Sequence, residues 1–156
     1  MKPLRILAVG RLRTAFWQQA AAHYLERLHR WRKITETYVK DGDAALPPAI
    51  RNAEEGDRLL AALGPSDIVI CLDEHGKSHT SRDFAALLDR LSENANRVPC
   101  FIVGGAYGLD RKVLDRATHK IALGPMTYPH ELARVLLLEQ LYRAESILRN
   151  APYHHD

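Results

Sequence analysis

Cysteine is scarce in this chain, long apolar runs are missing, and neither charge sign dominates. Each shortage excludes something. The two cysteines, Cys71 in DIVICLD and Cys100 in VPCFIVGG, lie in apolar strand-like runs, where a free thiol behaves as a small buried hydrophobe. Neither a disulfide nor a metal pair is expected. The apolar stretch near the start, ILAVG, meets Arg11 and Arg13 at once, so it is too short for a signal-peptide core or a membrane span. The chain is therefore expected to act in the cytoplasm, without a membrane partner.

Several signatures are missing as well. There is no G-x-G-x-x-G fingerprint, no G-K-[ST] phosphate loop, no C-x-x-C or H-E-x-x-H spacing, no repeat and no low-complexity segment. Dinucleotide, nucleoside triphosphate and zinc chemistry lose their usual marks. What is present is ordinary globular material, 46% hydrophobic and 26% charged over 156 residues, which fits one domain spanning 1–156. The formal charge of +3 is uneven. HYLERLHRWRK (23–33) concentrates Arg27, Arg30, Arg32 and Lys33 with two histidines, Tyr24 and Trp31, and reads either as a phosphate-attracting patch or as a solvated helix face.

Periodicity predicts alternating strands and helices. Strands are expected at 4–10, 34–40, 67–73, 99–105 and 119–124, and helices at 14–31, 50–63, 81–94, a short one from Asp110 to about Ala117, and 131–150. Glu36 falls on the same face as Ile34 and Tyr38, which places the second strand near an edge. Such alternation implies an α/β fold, a mostly parallel sheet with helices on both faces.

Three loops then share the carboxyl edge, where open α/β folds bind ligands: LDEHGKS (72–78), GGAYGLD (104–110) and LGPMTYPH (123–130). Gly104, Gly105, Gly108 and Gly124 permit close main-chain approach to a small ligand, although GGAYG also suits a plain tight turn. Pro129 holds Tyr128 extended ahead of the last helix, and Met126 and Tyr128 either wall an apolar pocket or pack beneath the loop. His130 reads as a capping or packing residue.

The last helix is apolar on more than one face, through Leu132, Val135, Leu136, Leu138, Leu141 and Tyr142, so it is either deeply buried or meets another subunit. Glu139–Arg143 and Glu145–Arg149 are helical ion pairs by spacing, a structural reading that competes with any other role for Arg143. Beyond the helix comes RNAPYHHD (149–156). Terminal segments ordinarily fray, yet Tyr153, His154 and His155 bring stacking, hydrogen-bonding and proton-transfer capacity together.

Taken in order, LDEHGK, FIVGGAYGLD, LGPMTYPHELARVLLLEQLYRA and PYHHD resemble the RlmH family of bacterial methyltransferases, very small members of the SPOUT superfamily. The resemblance covers the whole chain. It implies a parallel α/β domain with a C-terminal trefoil knot, a rare exception to unknotted topology. It further implies a homodimer that uses S-adenosylmethionine to methylate N3 of a pseudouridine in the helix 69 loop of large-subunit (23S) rRNA on the assembled ribosome. Carried over by position, the cofactor contacts are Leu72, Gly104, Leu123, Gly124, Pro125, Met126, Thr127 and Tyr128, and the other functional residues are Tyr153 and His154 in the tail and, from Y-R-A of the last helix, Arg143. His155 stands where the family often has Lys or Arg, which bears on phosphate contact at that position. Two alternatives accompany this reading: a SPOUT enzyme acting on another RNA such as tRNA, and a non-catalytic ribosome-binding module.

Overall fold

The computed structural model describes residues 1–156. Apolar on nearly every position, LRILAV can be buried on both faces, and β1 (Lys2–Val9) accordingly runs inside the sheet with Ile6, Leu7 and Ala8 inaccessible. The other elements follow as α1 (Ala15–Leu28), β2 (Arg32–Val39), α2 (Pro48–Ala62), β3 (Asp67–Ser78), α3 (Ser81–Leu91), β4 (Val98–Val103), α4 (Arg111–Arg116), β5 (His119–Ala122) and α5 (His130–Leu148). All strand pairs are parallel, in the order β2-β1-β4-β3-β5. Strand β2 is an edge, as its broken alternation predicts.

Two cores flank the sheet. Helices α1, α3 and α5 cover one face through Leu28, Phe84, Leu88, Leu138 and Leu141, and α2 and α4 cover the other through Leu59 and Val113. Cys71 and Cys100 lie free in the second core, where burial pushes both thiols up to about 12. They are packing residues, inert as thiolates.

Local chemistry sets the helix ends. Thr80 Oγ1 accepts from the Asp83 amide at 3.1 Å, Asp110 Oδ1 accepts from the Lys112 amide at 3.0 Å, and Pro48 occupies the first turn of α2. Helix α1 stops at Leu28, short of the predicted limit, because the amides of Arg30 and Trp31 turn back onto the carbonyls of Arg27 and Leu28 before β2 begins.

Two sequence readings are corrected. The segment after Leu72 is not simply a loop: the chain leaves the ladder after Leu72 and returns, so that Leu72 and Lys77 both pair with Ile121. Gly76 allows this excursion to pass close to β5, since a Cβ there would lie 2.7 Å from the Ile121 nitrogen. Arg32 is not part of a solvated basic face either. It is 2% exposed, ion-paired with Glu145 on α5, and donates to Ser92 Oγ at 2.8 Å.

This ion pair joins an edge strand to α5 in a dry setting, so removing one partner leaves a buried, uncompensated charge. Glu145→Ala is expected to lower unfolding free energy by about 3–5 kcal/mol in urea titrations, with most of the loss recovered by Arg32→Met in the same chain. A Glu145→Ala midpoint equal to wild type would contradict this account.

Candidate functional site

The carboxyl ends of β3, β4 and β5 and the start of α5 enclose a cavity of about 750 Å³. Glycine geometry builds one wall. A Cβ on Gly104 would lie 2.6 Å from the Gly108 carbonyl oxygen, and Gly108 itself has φ +76°, so GGAYG closes a turn that side chains could not make. Gly124, at φ +107°, turns the β5–α5 loop in the same way.

Leu72, Gly104, Leu123, Gly124, Met126, Thr127 and Tyr128 all line this cavity. Pro125 does not; it sits exposed in the same loop. Thr127 donates to Glu74 Oε2 at 2.7 Å, tying the β3 excursion to the loop before α5. Asp73 and Glu74 add carboxylates to the lining. The N-terminus of α5 reaches the cavity through Pro129, His130 and Ala133 and carries no side-chain cap, leaving its first amides available. Glu131 bonds elsewhere, accepting from the amides of Arg13 and Thr14 at 3.4 and 3.3 Å.

A smaller cavity of about 270 Å³ shares Leu72, Leu123, Gly124 and Tyr128 with the first and continues along α5 to Gln140. Its walls are mostly apolar, and Ser81 Oγ donates to Gln140 Oε1 at 2.9 Å.

The terminal segment does not fray. Asn150 adopts φ +53°, the Ala151 amide bonds the Ser146 carbonyl at 2.9 Å, and the Asn150 amide bonds the Ile147 carbonyl at 3.2 Å. This is a Schellman ending, with asparagine in the left-handed position that glycine usually takes. It turns the chain back along α5. Tyr153 then packs edge-on against Tyr142 at 4.6 Å and donates to Glu139 Oε1 at 3.1 Å, while Arg143 covers its ring at 4.7 Å.

Glu139 is the hub of this hook. The same Oε1 accepts from Arg143 Nε at 3.0 Å and Nη2 at 2.5 Å, which holds the guanidinium above its ordinary pKa. Burial, reinforced by Tyr24 and Glu139, raises the Tyr153 phenol well above its usual range. Tyr153 is therefore a protonated donor at neutral pH. His154 Nδ1 lies 3.3 Å from Arg143 Nη1, and its Nε2 lies 3.3 Å from Asp156 Oδ1, which Arg82 also holds. Arginine has no acceptor, so Nδ1 carries a lone pair in this arrangement and Nε2 carries the proton toward Asp156. His155 is exposed.

The proposed tail residues thus come together, but apart from the cofactor set. Neither cavity is lined by Arg143, Tyr153 or His154. Ten residues of α5 separate Ala133 at the cavity from Arg143 at the hook, about 15 Å along a helix axis. The sequence reading missed Glu139 as an organiser, because its spacing to Arg143 matched an ordinary helical pair. It also passed over Asp73 and Glu74, although they stand in the quoted loop. No group of three or more His, Cys, Asp or Glu side chains is arranged to hold a metal ion, and no helix is long and apolar enough to cross a membrane.

A parallel α/β domain with a main-chain-walled cavity at its carboxyl edge belongs to the class that binds a small organic ligand at that edge. Residues 1–154 match the family described as predicted SPOUT methyltransferase. A ribosomal RNA large subunit methyltransferase H from Nitratidesulfovibrio vulgaris (strain DSM 19637 / Miyazaki F) is 74% identical, covering 99% of this chain and 100% of that protein. One of the same name from Oleidesulfovibrio alaskensis is 59% identical, covering 99% and 100%. A probable methyltransferase from Bordetella pertussis Tohama I superposes with a TM-score of 0.56 at 15% identity, over 92% of this chain and 93% of that one, a likeness of fold alone. The chain belongs to the SPOUT methyltransferases and, within them, to the RlmH family.

Because Glu139 serves both Arg143 and Tyr153, Glu139→Ala is expected to lower stability by about 1–3 kcal/mol and to release the hook. Amide hydrogen exchange at Ala151 and Tyr153, whose amides bond the Ser146 and Ala151 carbonyls, should accelerate in this variant and stay slow in Asn150→Gly, which keeps the left-handed turn. Unchanged protection in Glu139→Ala would remove Glu139 from its organising position.

Proposed function

We propose that this chain methylates large-subunit ribosomal RNA with S-adenosylmethionine, at N3 of a pseudouridine in the helix 69 loop of 23S rRNA, acting in the cytoplasm on the assembled ribosome. Family membership and the ribosomal RNA methyltransferases among its relatives support the RNA class. The observation that carries the cofactor assignment is the chemistry of the larger cavity's walls.

Those walls fit the molecule. Leu72, Leu123, Met126 and Tyr128 offer apolar surface to an adenine, and the main chain around Gly104 and Gly124 offers donors and acceptors for its edge. Asp73 and Glu74 suit a cationic sulfonium and ammonium, and the uncapped start of α5 suits a carboxylate. Pro125 shapes the loop from outside the lining, and Thr127 is fixed by Glu74. When bound, the cofactor supplies an already activated methyl group on a sulfonium. What remains for the protein is alignment with the acceptor nitrogen and removal of its weakly acidic proton.

His154 is the proton acceptor or relay in this reading, placed between Arg143 at Nδ1 and Asp156 at Nε2. Release of Nδ1 from Arg143 frees its lone pair and the Nη1 edge of a guanidinium that Glu139 still holds, an edge suited to RNA phosphate. Tyr153, kept protonated, donates or stacks and is not the base. The tail residues stand away from their own chain's larger cavity, which supports a homodimer in which each hook completes the partner's site. Leu132 and Leu136, half-buried on α5, provide apolar surface for such an interface. The trefoil knot belongs to the same reading and rests on membership of the SPOUT methyltransferases.

Intact protein is expected to transfer label from methyl-labelled S-adenosylmethionine to the helix 69 pseudouridine of ribosomes lacking that methyl group. His154→Ala should retain cofactor binding and lose at least roughly a hundredfold in single-turnover rate. Undiminished transfer in the variant would move the proton chemistry elsewhere, and label on another RNA with intact protein would overturn the target.

A further inference from the structure

A second concave surface lies beside the cofactor cavity and has no part in the reading above. It forms at the carboxyl ends of β1 and β2, a groove of about 750 Å³ containing Gly10, Tyr38 and Val39. Sheet order makes the two neighbours: β2 and β1 end under the groove, and β4, β3 and β5 end under the cavity. Their shared rim is Arg51, which lines the groove while its guanidinium sits 5.7 Å from the ring centre of Tyr107 in the cavity lining. Asn52 donates to the Tyr107 carbonyl at 2.9 Å and fixes that rim.

The two surfaces have opposite electrostatic character. Asp73 and Glu74 line the cavity, whereas the groove presents Arg11, Arg13, Lys40, Arg51 and Arg58 against three carboxylates, Asp41, Asp43 and Glu54. Three of those cations have partners: Arg13 meets Asp41 at 2.5 Å, Arg51 meets Glu55 at 3.5 Å and Arg58 meets Glu54 at 3.8 Å. Arg11 and Lys40 are exposed and have no carboxylate in ion-pair reach. Arg11 lies over the Tyr38 ring at 4.7 Å, and the buried Arg134 approaches the same ring at 5.6 Å, adding positive potential there. A cation pre-positioned on an aromatic face, a second free cation, and a half-exposed tyrosine at the rim form the combination that tracks a nucleic-acid backbone beside a base site.

We infer that the groove binds the sugar-phosphate backbone of the RNA strand flanking the target nucleotide, with Arg11 and Lys40 as phosphate contacts and the Arg51–Tyr107 rim as the passage into the cavity. This rests on the RNA-methylating reading and adds where the strand lies. It differs from the stretch 23–33, whose Arg32 is buried in the Glu145 pair.

The test compares Arg11→Gln/Lys40→Gln with a matched removal of two charges, Arg97→Gln/Arg116→Gln, taken from exposed cations that precede β4 and β5 at the opposite sheet edge. Binding to purified large ribosomal subunits is titrated from roughly 50 to 200 mM salt, with S-adenosylmethionine affinity measured on the same preparations. The groove variant should bind about tenfold more weakly and lose about 2 from its log–log salt slope, while its cofactor affinity and the control variant match wild type. Wild-type binding by the groove variant, or equal weakening in both variants, would overturn the inference. Weakening on intact subunits but not on protein-free 23S RNA would assign the groove to a ribosomal protein and overturn it too. Wild-type protein that binds yet transfers no methyl group contradicts the proposed activity, while the groove is still judged by its own binding data.

Discussion

Helix α5 is the constraint on which the rest of the molecule depends. Its first turn closes the ligand cavity, its later turns carry Glu139 and Arg143, and its rigid rise keeps the two about 15 Å apart. The helix cannot slide to close this gap, because Val135, Leu138 and Leu141 are buried against the sheet and Glu145 is held by Arg32. Beyond it the Schellman turn at Asn150 reverses the chain, so the hook packs on the same helix that spaces it from the cavity. A fold this small thereby separates the cavity from the hook, and the proposed reading reunites them through a second copy.

Charge is divided along the carboxyl edge in a way that suits two unlike ligands. The carboxylates of Asp73 and Glu74 stand where a cationic methyl donor fits, and Arg11 and Lys40 stand over β1 and β2, where a polyanion fits. Under the proposed function, their placement on neighbouring strand ends has one rigid sheet orient both partners before any chemistry begins. In the hook the same economy appears: one Glu139 oxygen fixes an arginine and a tyrosine, and the arginine in turn contacts His154 Nδ1.

Much of this was legible in the residues. Continuous apolar runs marked the parallel strands, the broken alternation of ITETYVK marked an edge, and Thr80, Pro48 and Asp110 marked helix starts. The glycine-bearing loops at strand ends pointed to the cavity, and all but Pro125 of the expected contacts line it. The rest depends on contacts far apart in sequence. Nothing local distinguishes Arg32, buried 113 positions from its Glu145 partner, from the exposed Arg30 beside it. The return of β3 at Lys77 is likewise a matter of pairing with Ile121, which a loop-like DEHG conceals. The groove combines residues 10–13, 38–44 and 51–58, and only the fold brings them to one place.

Mixing two inactive proteins shows whether a cavity in one chain is completed by the hook of another. One carries Gly104→Val, which blocks the cavity wall while keeping the hook, and the other carries His154→Ala, which keeps the cavity and disables the hook. Unfolding and refolding them together yields heterodimers with one intact cavity and one intact hook on different chains. With the site shared between chains, methyl transfer to ribosomes should reappear in the mixture although each parent is inactive alone. Heterodimers that form, bind cofactor and still transfer nothing would place cavity and hook in the same chain's site and contradict it.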